Sequence, residues 1–277
     1  IKPVNPSAIM PPRWMKPYYL SLIRKDEIEG PPPPTARSSQ PNWNLTAELT
    51  AFKIRLGIHV PDELLTSALT EPISEQDNED EPKDYRRLLE NGQLFIEEFV
   101  SHYLQLALPR LPKEALNSIR DFLLLERNLA HIAFNLGYQD LIQSLEVPPS
   151  KKVLSETFVA SIEAIKLSEG EIAAGRYILD FIIPQLAGKD IIEDIWKPSD
   201  PMAVLVDHLK SNSQAKPEAR LIRQSGLNTV TPIFYVGLFS ERHLLAESAA
   251  ESIALAECDA AKLALKTIYH VQPSSKP

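Results

Sequence analysis

Residues 88–112 read LLENGQLFIEEFVSHYLQLALPRLP, and residues 154–170 read LSETFVASIEAIKLSEG. The first stretch predicts a helix over about residues 85–106, followed by a turn whose prolines, Pro109 and Pro112, stop the helix from continuing. The second stretch predicts another helix, after a proline-containing link at 147–152. We expect the rest of the chain to be organised around these two helices.

The two stretches resemble the two halves of the active-site signature of the ribonuclease III family. In that family the first half reads roughly E-x-x-E-F-L-G-D-A-V-L, followed by a Y-L pair and an F-P-x-L-P turn. Gly92 stands at the glycine of this motif, Tyr103-Leu104 at the Y-L pair, and residues 108–112 at the turn. The second half reads L-A-D-A-F-E-A-L-I-G-A, and residues 154–164 align with it without a gap.

The resemblance also identifies the positions where the family carries its catalytic carboxylates. Most of them are not acidic in this chain. The two glutamates and the aspartate of the first half fall on Arg86, Leu89 and Gln93, and the aspartate and glutamate of the second half fall on Glu156 and Val159.

A phosphodiesterase with two metal ions needs anionic oxygen ligands, because the Mg²⁺ ions supply both the nucleophilic water and the neutralising charge. Leucine, glutamine and valine cannot supply that charge. We therefore expect a nuclease fold without nuclease chemistry, with no catalytic residue, no metal and no cofactor.

Two alternatives stay open. Glu90, Gln93 and Glu97 recur every three or four residues and share one helix face, so they could form a displaced metal site with Glu156 in an active ribonuclease that processes structured RNA. The chain could also be the partner subunit of another ribonuclease III-like chain, because members of that family pair through the signature helices.

Composition limits the remaining functions. The formal net charge of −8 argues weakly against a simple nucleic-acid coat protein, although basic patches can exist under a negative total. Cys258 is the only cysteine, and no C-x-x-C or H-E-x-x-H motif for zinc is present. No apolar run approaches the ~20 residues of a membrane helix, so we expect no membrane partner.

Residues 1–43 are rich in proline and locally basic. Ten of the 24 prolines precede Trp43, which predicts an extended, partly polyproline II arm that becomes ordered only on what it contacts. Its cations are interleaved with Trp14, Tyr18 and Tyr19, a pattern that suits RNA, but an arm packed on its own domain fits equally well. The candidate RNA-binding residues of the arm are Arg13, Lys16, Arg24 and Lys25.

Helices are predicted over most of residues 44–197. Apolar spacing predicts one at 44–60, a short one at 61–69, a long one at 116–136 and one at about 171–186 that Pro184 kinks or ends. The acidic run at 71–84 predicts a solvated loop. In the link before the second signature helix, Lys151 and Lys152 are further candidates for phosphate contacts.

From about residue 198 the pattern changes. A helix at 201–210, strands at 220–224, 232–239 and 243–247, and a long helix at 249–269 resemble a double-stranded-RNA-binding domain. That family follows the nuclease domain in ribonuclease III, so the order of the two resemblances supports both.

The RNA-contacting residues of the second family are replaced here. Its loop motif G-P-x-H corresponds to residues 226–229, where Thr229 stands at the histidine, and the two lysines that open its last helix correspond to Ile253 and Ala254. Generic duplex binding is therefore expected to be weak. The cations that remain as candidates in this domain are Lys210, Lys216, Arg220 and Arg223.

The expected fold class is α+β: an arm at 1–43, an all-α ribonuclease III-like domain at 44–197, an α-β-β-β-α domain at 198–270 and a tail at 271–277. This combination resembles the family of mitochondrial large-subunit ribosomal proteins that bears the number forty-four. The resemblance implies a location in the mitochondrial matrix. It implies as partners mitochondrial rRNA and other large-subunit ribosomal proteins.

Overall fold

The structure, a computed structural model, describes residues 14–29, 37, 43–70, 83–144, 147–226 and 228–271. Within these ranges the chain forms ten α-helices and one three-stranded sheet. Of the acidic run, residues 71–82 lie outside the described residues, and the last two begin a helix.

The first helix, α1, covers Lys16–Glu29, so the prediction of an extended arm is wrong for these residues. The reason is the spacing of the prolines. Pro17 lies in the first turn, where its missing N–H is not needed, and no other proline occurs between Pro17 and Pro31. The described side chains of α1 are exposed, so its residues face solvent on all sides.

The helical half is arranged around one central helix, α7. Ser150 caps its start, with an Oγ atom that accepts a hydrogen bond from the N–H of Val153 at 3.3 Å, and Gly170, which has a positive φ of 90°, ends it. Helices on several sides contact α7, which buries most of its residues. The bounds are α2 Leu45–Leu56, α3 Asp62–Leu69, α4 Lys83–Ala107, α5 Lys113–Leu123, α6 Glu126–Leu136, α7 Lys151–Glu169 and α8 Glu171–Phe181.

Polar groups inside this core bond to one another. The Tyr138 hydroxyl lies 2.6 Å from Ser161 Oγ and 3.2 Å from the Tyr177 hydroxyl, and Ser161 Oγ donates to the carbonyl oxygen of Phe158 at 2.7 Å. Burial raises the pKa of Tyr138 and that of Tyr177, so both hydroxyls remain protonated donors. The cluster joins α7 to α8 and to the turn at Tyr138–Asp140.

The predicted single helix at 116–136 is two helices, α5 and α6. Leu125 between them has an extended backbone (φ −54°, ψ 130°), and the Asn128 side chain donates to the carbonyl oxygen of Phe122 across the break. Apolar spacing continues through the break and therefore hides it. After α8 the chain forms a 3₁₀ turn at Ile183–Leu186, which confirms that Pro184 ends the helix.

The C-terminal half has the predicted α-β-β-β-α order. Its sheet is antiparallel with the order β1-β2-β3; α10 packs on β2 and β3, and α9 packs on α10. The last helix begins later than predicted, because Ala249 and Ala250 continue β3 and Ser252 caps α10. The bounds are α9 Pro201–Ser211, β1 Glu218–Ser225, β2 Ile233–Ser240, β3 His243–Ala250 and α10 Ile253–Ile268.

A π-helical turn at Ile191–Trp196 joins the two halves. It packs against α5 on one side and α10 on the other. Lys266 of α10 is buried, and its Nζ contacts Asp190 Oδ2 at 2.6 Å and the carboxylate of Glu193. This contact attaches the C-terminal half to the helical half.

The charges of this joint stabilise one another. Burial acts to raise the pKa of Asp190, but the hydrogen bonds from Lys266 and from two backbone N–H groups outweigh it and lower that pKa. Burial likewise acts to lower the pKa of Lys266, and its hydrogen bonds to Asp190 and Glu193 outweigh it and raise that pKa. Both groups therefore stay ionised over a wide pH range.

No helix in the described part of the chain is long and apolar enough to cross a membrane.

Candidate functional site

The signature residues meet where α4 touches α7. A Cβ atom added to Gly92 would lie 2.6 Å from the carbonyl oxygen of Val159 and 3.1 Å from its Cγ1 atom. Only a glycine allows the two helices to approach this closely. The contact thus gives a structural reason for the glycine of the motif.

The side chains at the five signature positions divide into an apolar and a polar set. Val159 is only 4% exposed, and the half-buried Leu89 packs against the core. Arg86 and Gln93 are exposed on α4. Glu156 is partly buried, and Lys152 Nζ lies 3.8 Å from its Oε1 atom. Its negative charge is therefore partly countered by a lysine one turn earlier on the same helix.

This arrangement does not fit a site for two Mg²⁺ ions. Leu89 and Val159 contribute hydrocarbon, Gln93 contributes a neutral amide, and Glu156 is the single carboxylate among the five signature positions. The displaced acids Glu90 and Glu97 are exposed on α4. Across the described residues, no group of three or more His, Cys, Asp and Glu side chains is placed so that it could hold a metal ion.

A buried acid in α7 escaped the sequence analysis. Glu163 is only 3% exposed and falls on the glycine of the second motif. Its Oε2 lies 3.3 Å from Lys166 Nζ, which lies 4.6 Å from the centroid of the Phe95 ring on α4. The signal that could have found it is an acid in an otherwise apolar run, with a lysine three residues later.

The candidate cations of the arm and of α7 are at the surface. Arg13 lies outside the described residues. Lys16, Arg24 and Lys25 are exposed on α1, and Lys151 and Lys152 are exposed in the first turn of α7.

The candidate cations of the C-terminal half do not form one cluster. Lys210 is on α9, 3.6 Å from Asp207, on the side of the sheet where the helices pack. Lys216 is exposed before β1, whereas Arg220 and Arg223 are on β1 and stack on the Phe239 and Tyr235 rings of β2. The register of the strands places these two arginines on the face of the sheet opposite the helices.

In the resembled domain, the loop at 226–229 and the start of the last helix face a duplex. In this chain, side chains at both places bond to their own backbone or present hydrocarbon. Ser252 Oγ accepts a hydrogen bond from the Leu255 N–H, and Ile253 and Ala254 are exposed in the first turn of α10. Thr229 Oγ1 donates to the carbonyl oxygen of Gly226 at 2.6 Å. The threonine hydroxyl therefore closes its own loop, and the helix start presents hydrocarbon in place of two cations.

Comparison with protein-family models gives a match to each half of the chain. Residues 44–165 match the model described as large ribosomal subunit protein mL44, endonuclease domain. Residues 196–277 match the model described as the MRPL44 dsRNA-binding domain.

Individual proteins agree with the family models. The chain is 30% identical to the large ribosomal subunit protein mL44 of Caenorhabditis elegans, over 94% of this chain and 68% of that protein. It is also 30% identical to Ribonuclease 3 of Enterococcus faecalis, over 67% of this chain and 81% of that protein. Among solved structures, the nuclease domain of ribonuclease III from Campylobacter jejuni is 24% identical, with a TM-score of 0.44 over 51% of this chain and 98% of that domain.

Proposed function

Because this chain belongs to the mL44 family of large ribosomal subunit proteins, we propose that it is a structural constituent of the mitochondrial large ribosomal subunit. In this role it contacts rRNA and neighbouring ribosomal proteins in the mitochondrial matrix and does not cut RNA.

The absence of cleavage is supported by one observation above all: the apolar core extends into the signature positions. Val159 is buried beside Gly92, and Leu89 packs against the same core. A metal ion placed there would lose its hydration without gaining anionic ligands, which is strongly unfavourable. Glu156, already near Lys152, cannot replace the missing carboxylates.

The contacts with rRNA are assigned to exposed cations of the helical half. Lys151 and Lys152 stand side by side in the first turn of α7, where the free backbone N–H groups of the helix also attract phosphate. Lys16, Arg24 and Lys25 are further exposed cations, on α1. Replacing one phosphate-binding cation by a neutral residue should flatten the salt dependence of RNA binding by about 0.7–0.9 units of slope.

Sedimentation tests membership of the ribosome. A tagged copy of the full-length protein is expressed in cells, and a mitochondrial lysate is separated on a sucrose gradient. We expect the tagged chain to migrate with the large subunit, and to move to the top of the gradient after ribonuclease treatment. Migration at the top of the untreated gradient would refute the proposed role.

A metal-dependent endoribonuclease is the second candidate. Two observations favour it: the similarity to Ribonuclease 3 and the retention of Glu156 at a ligand position. A metal that binds only the folded state raises the midpoint of thermal unfolding. If the chain is a metal-dependent nuclease, Mn²⁺ should raise the unfolding midpoint of the wild-type protein but not that of Glu156→Ala. If its role is structural, Mn²⁺ should leave the midpoints of both proteins unchanged.

A further inference from the structure

One face of the C-terminal sheet is not covered by a helix in the described part of the chain. Val236 and Leu238 of the central strand are buried on the side of α10. The residues that alternate with them, Tyr235, Gly237 and Phe239, point to the opposite side because side chains alternate along a strand. We call this opposite side the outer sheet face.

The outer sheet face combines aromatic rings with arginines. The Cζ atom of Arg223 lies 4.0 Å from the centroid of the Tyr235 ring, and that of Arg220 lies 5.3 Å from the centroid of the Phe239 ring. A bulge in β1 makes this possible, since the register shifts between Leu221 and Arg223. Without the shift, Arg220 and Arg223 would point to opposite faces of the sheet.

Apolar side chains fill the space between the two stacked pairs. A Cβ atom on Gly237 would lie 2.7 Å from Ile222 Cδ1 and 3.2 Å from Leu244 Cδ1, so both side chains lie across this glycine. Ile222 and Leu244 are about half exposed. The face thus has an arginine-capped ring at each end and hydrocarbon between.

The charge of the face favours an anionic ligand. Glu218 pairs with Arg220 at 2.7 Å, and Glu247 is opposite Gly237 in the register. Arg223 has no carboxylate among the ion pairs of the described residues. Lys216 and Arg242 add cations beyond the ends of the strands. These cations stand out in a chain with a net charge of −8.

We propose that the outer sheet face binds unpaired nucleotides of RNA. Bases stack on aromatic rings and on the planes of arginine guanidinium groups, and each stacked base can add an arginine–phosphate contact. Tyr235 and Phe239 are four residues apart on one strand, about 13 Å, so each takes a separate base. The ligand class is single-stranded RNA in a loop or bulge.

This site differs from the surface that the resembled domain uses for duplexes. That surface includes the loop at 226–229 and the start of α10, where Thr229, Ile253 and Ala254 replace its contact residues. The proposal goes beyond the ribosomal role and does not depend on it, because the purified full-length chain suffices for the test.

The test measures binding of the full-length protein to a ~12-nucleotide single strand, oligo(U) or oligo(A), and to a ~20-base-pair duplex by fluorescence anisotropy. Tyr235→Leu/Phe239→Leu keeps apolar volume and removes both rings. Loss of one stacked base weakens binding by about 5- to 150-fold, so we expect at least this loss of single-strand affinity, with little change for the duplex. Lys113→Gln/Arg176→Gln, on exposed positions of α5 and α8, removes two charges elsewhere and should bind the single strand like the wild type.

Two further variants keep the outcome interpretable if the aromatic variant unfolds. Arg220→Gln/Arg223→Gln should flatten the salt dependence by about 1.4 units of slope, as expected for two single-strand phosphate contacts. Glu247→Gln removes a carboxylate from the face and should tighten binding. The proposal is overturned if the wild type does not bind the single strands, or if these variants bind them as the wild type does. Variants that bind the single strands like the wild type and yet fail to enter ribosomal particles would show that the face takes a protein partner instead.

Discussion

Helix α7 and strand β1 differ strongly in how much of each is buried. In α7, twelve residues between Val153 and Ile165 are buried, and only Glu156 interrupts the run. In β1, all eight residues are exposed. Helix α7 carries two of the five signature positions, Glu156 and Val159, whereas β1 carries two of the candidate RNA-binding arginines, Arg220 and Arg223.

The difference shows how burial constrains change in each element. A carboxylate at position 159 would have to enter a packed core beside Gly92, which costs free energy unless a cation or hydrogen bonds compensate it. The residues of β1 are exposed, so substitutions there disturb few neighbours. The exceptions are Arg220 and Arg223, which stack on the Phe239 and Tyr235 rings. New binding properties are therefore expected on the sheet and not at the α4–α7 contact.

The largest expected loss of stability comes from a substitution in the buried helix α7, and a substitution on the exposed strand β1 is its control. Phe158→Ala removes a side chain with no exposed surface from α7 and should lower the free energy of unfolding by about 3–5 kcal/mol. Ile222→Ala on β1, about half exposed, should cost about 1 kcal/mol or less. Urea unfolding followed by circular dichroism measures both. Similar losses of stability in the two variants would remove the contrast.

A smaller effect is expected at the joint between the two regions. Lys266→Met leaves Asp190 and Glu193 without their cation and should cost about 1.5–3 kcal/mol, the range for hydrogen bonds to charged groups. Lys262→Met is the matched control on the same helix, because Lys262 pairs with the more exposed Asp259 at 2.9 Å, an ion pair worth at most about 1 kcal/mol. Urea unfolding at pH 7 measures both variants, and equal effects would show that the joint is no stronger than a surface pair.

The joint also has a pH dependence with a defined sign. The pKa of Asp190 is lowered in the folded state, so its contribution is present above about pH 3.9, the usual value for aspartate, and is lost as pH falls through the folded pKa. The pKa of Lys266 is raised, so its contribution is present below about pH 10.4 and is lost as pH rises through the folded pKa. The destabilisation by Lys266→Met should therefore be constant between about pH 5 and 9 and shrink in acid. A destabilisation that grows in acid would contradict this origin.

The tight contact between the two signature helices predicts a third effect. Gly92→Ala should destabilise the protein by about 1–3 kcal/mol, because its Cβ would lie 2.6 Å from a backbone oxygen that cannot move aside. The adjacent, exposed Asn91→Ala should be neutral or slightly stabilising, since alanine favours the helix. Thermal unfolding compares the two variants. A Gly92→Ala variant as stable as the wild type would mean that α4 and α7 are not tightly packed here.

Buried and locally determined features followed from the sequence. The long helix α4, the second signature helix α7 and the order of the C-terminal elements are encoded in apolar spacing and turns, and they match the structure. The break between α5 and α6 did not follow, because Leu124 and Leu125 continue the apolar pattern and one side-chain hydrogen bond from Asn128 stabilises the break. The helix α1 was hidden by the average proline content of the arm.

The candidate site shows the same division. Alignment with the two motifs assigned Gly92 and Val159 to the two signature helices, and the structure brings these two residues into contact. Sequence could not place Arg220 and Arg223 on the face opposite Lys210, because a one-residue bulge decides where those side chains point. Composition showed a group of cations; only the register showed that it is divided between two faces.

Cleavage of RNA is the measurement that tests most directly whether the packed α4–α7 contact is without nuclease chemistry. The full-length protein is incubated with a labelled RNA duplex in Mg²⁺ or Mn²⁺, beside a bacterial Ribonuclease 3 as positive control and a Glu156→Ala variant as negative control. We predict that the wild type and Glu156→Ala leave the duplex equally intact while the bacterial enzyme cuts it. Metal-dependent cleavage by the wild type that disappears in Glu156→Ala would contradict this prediction.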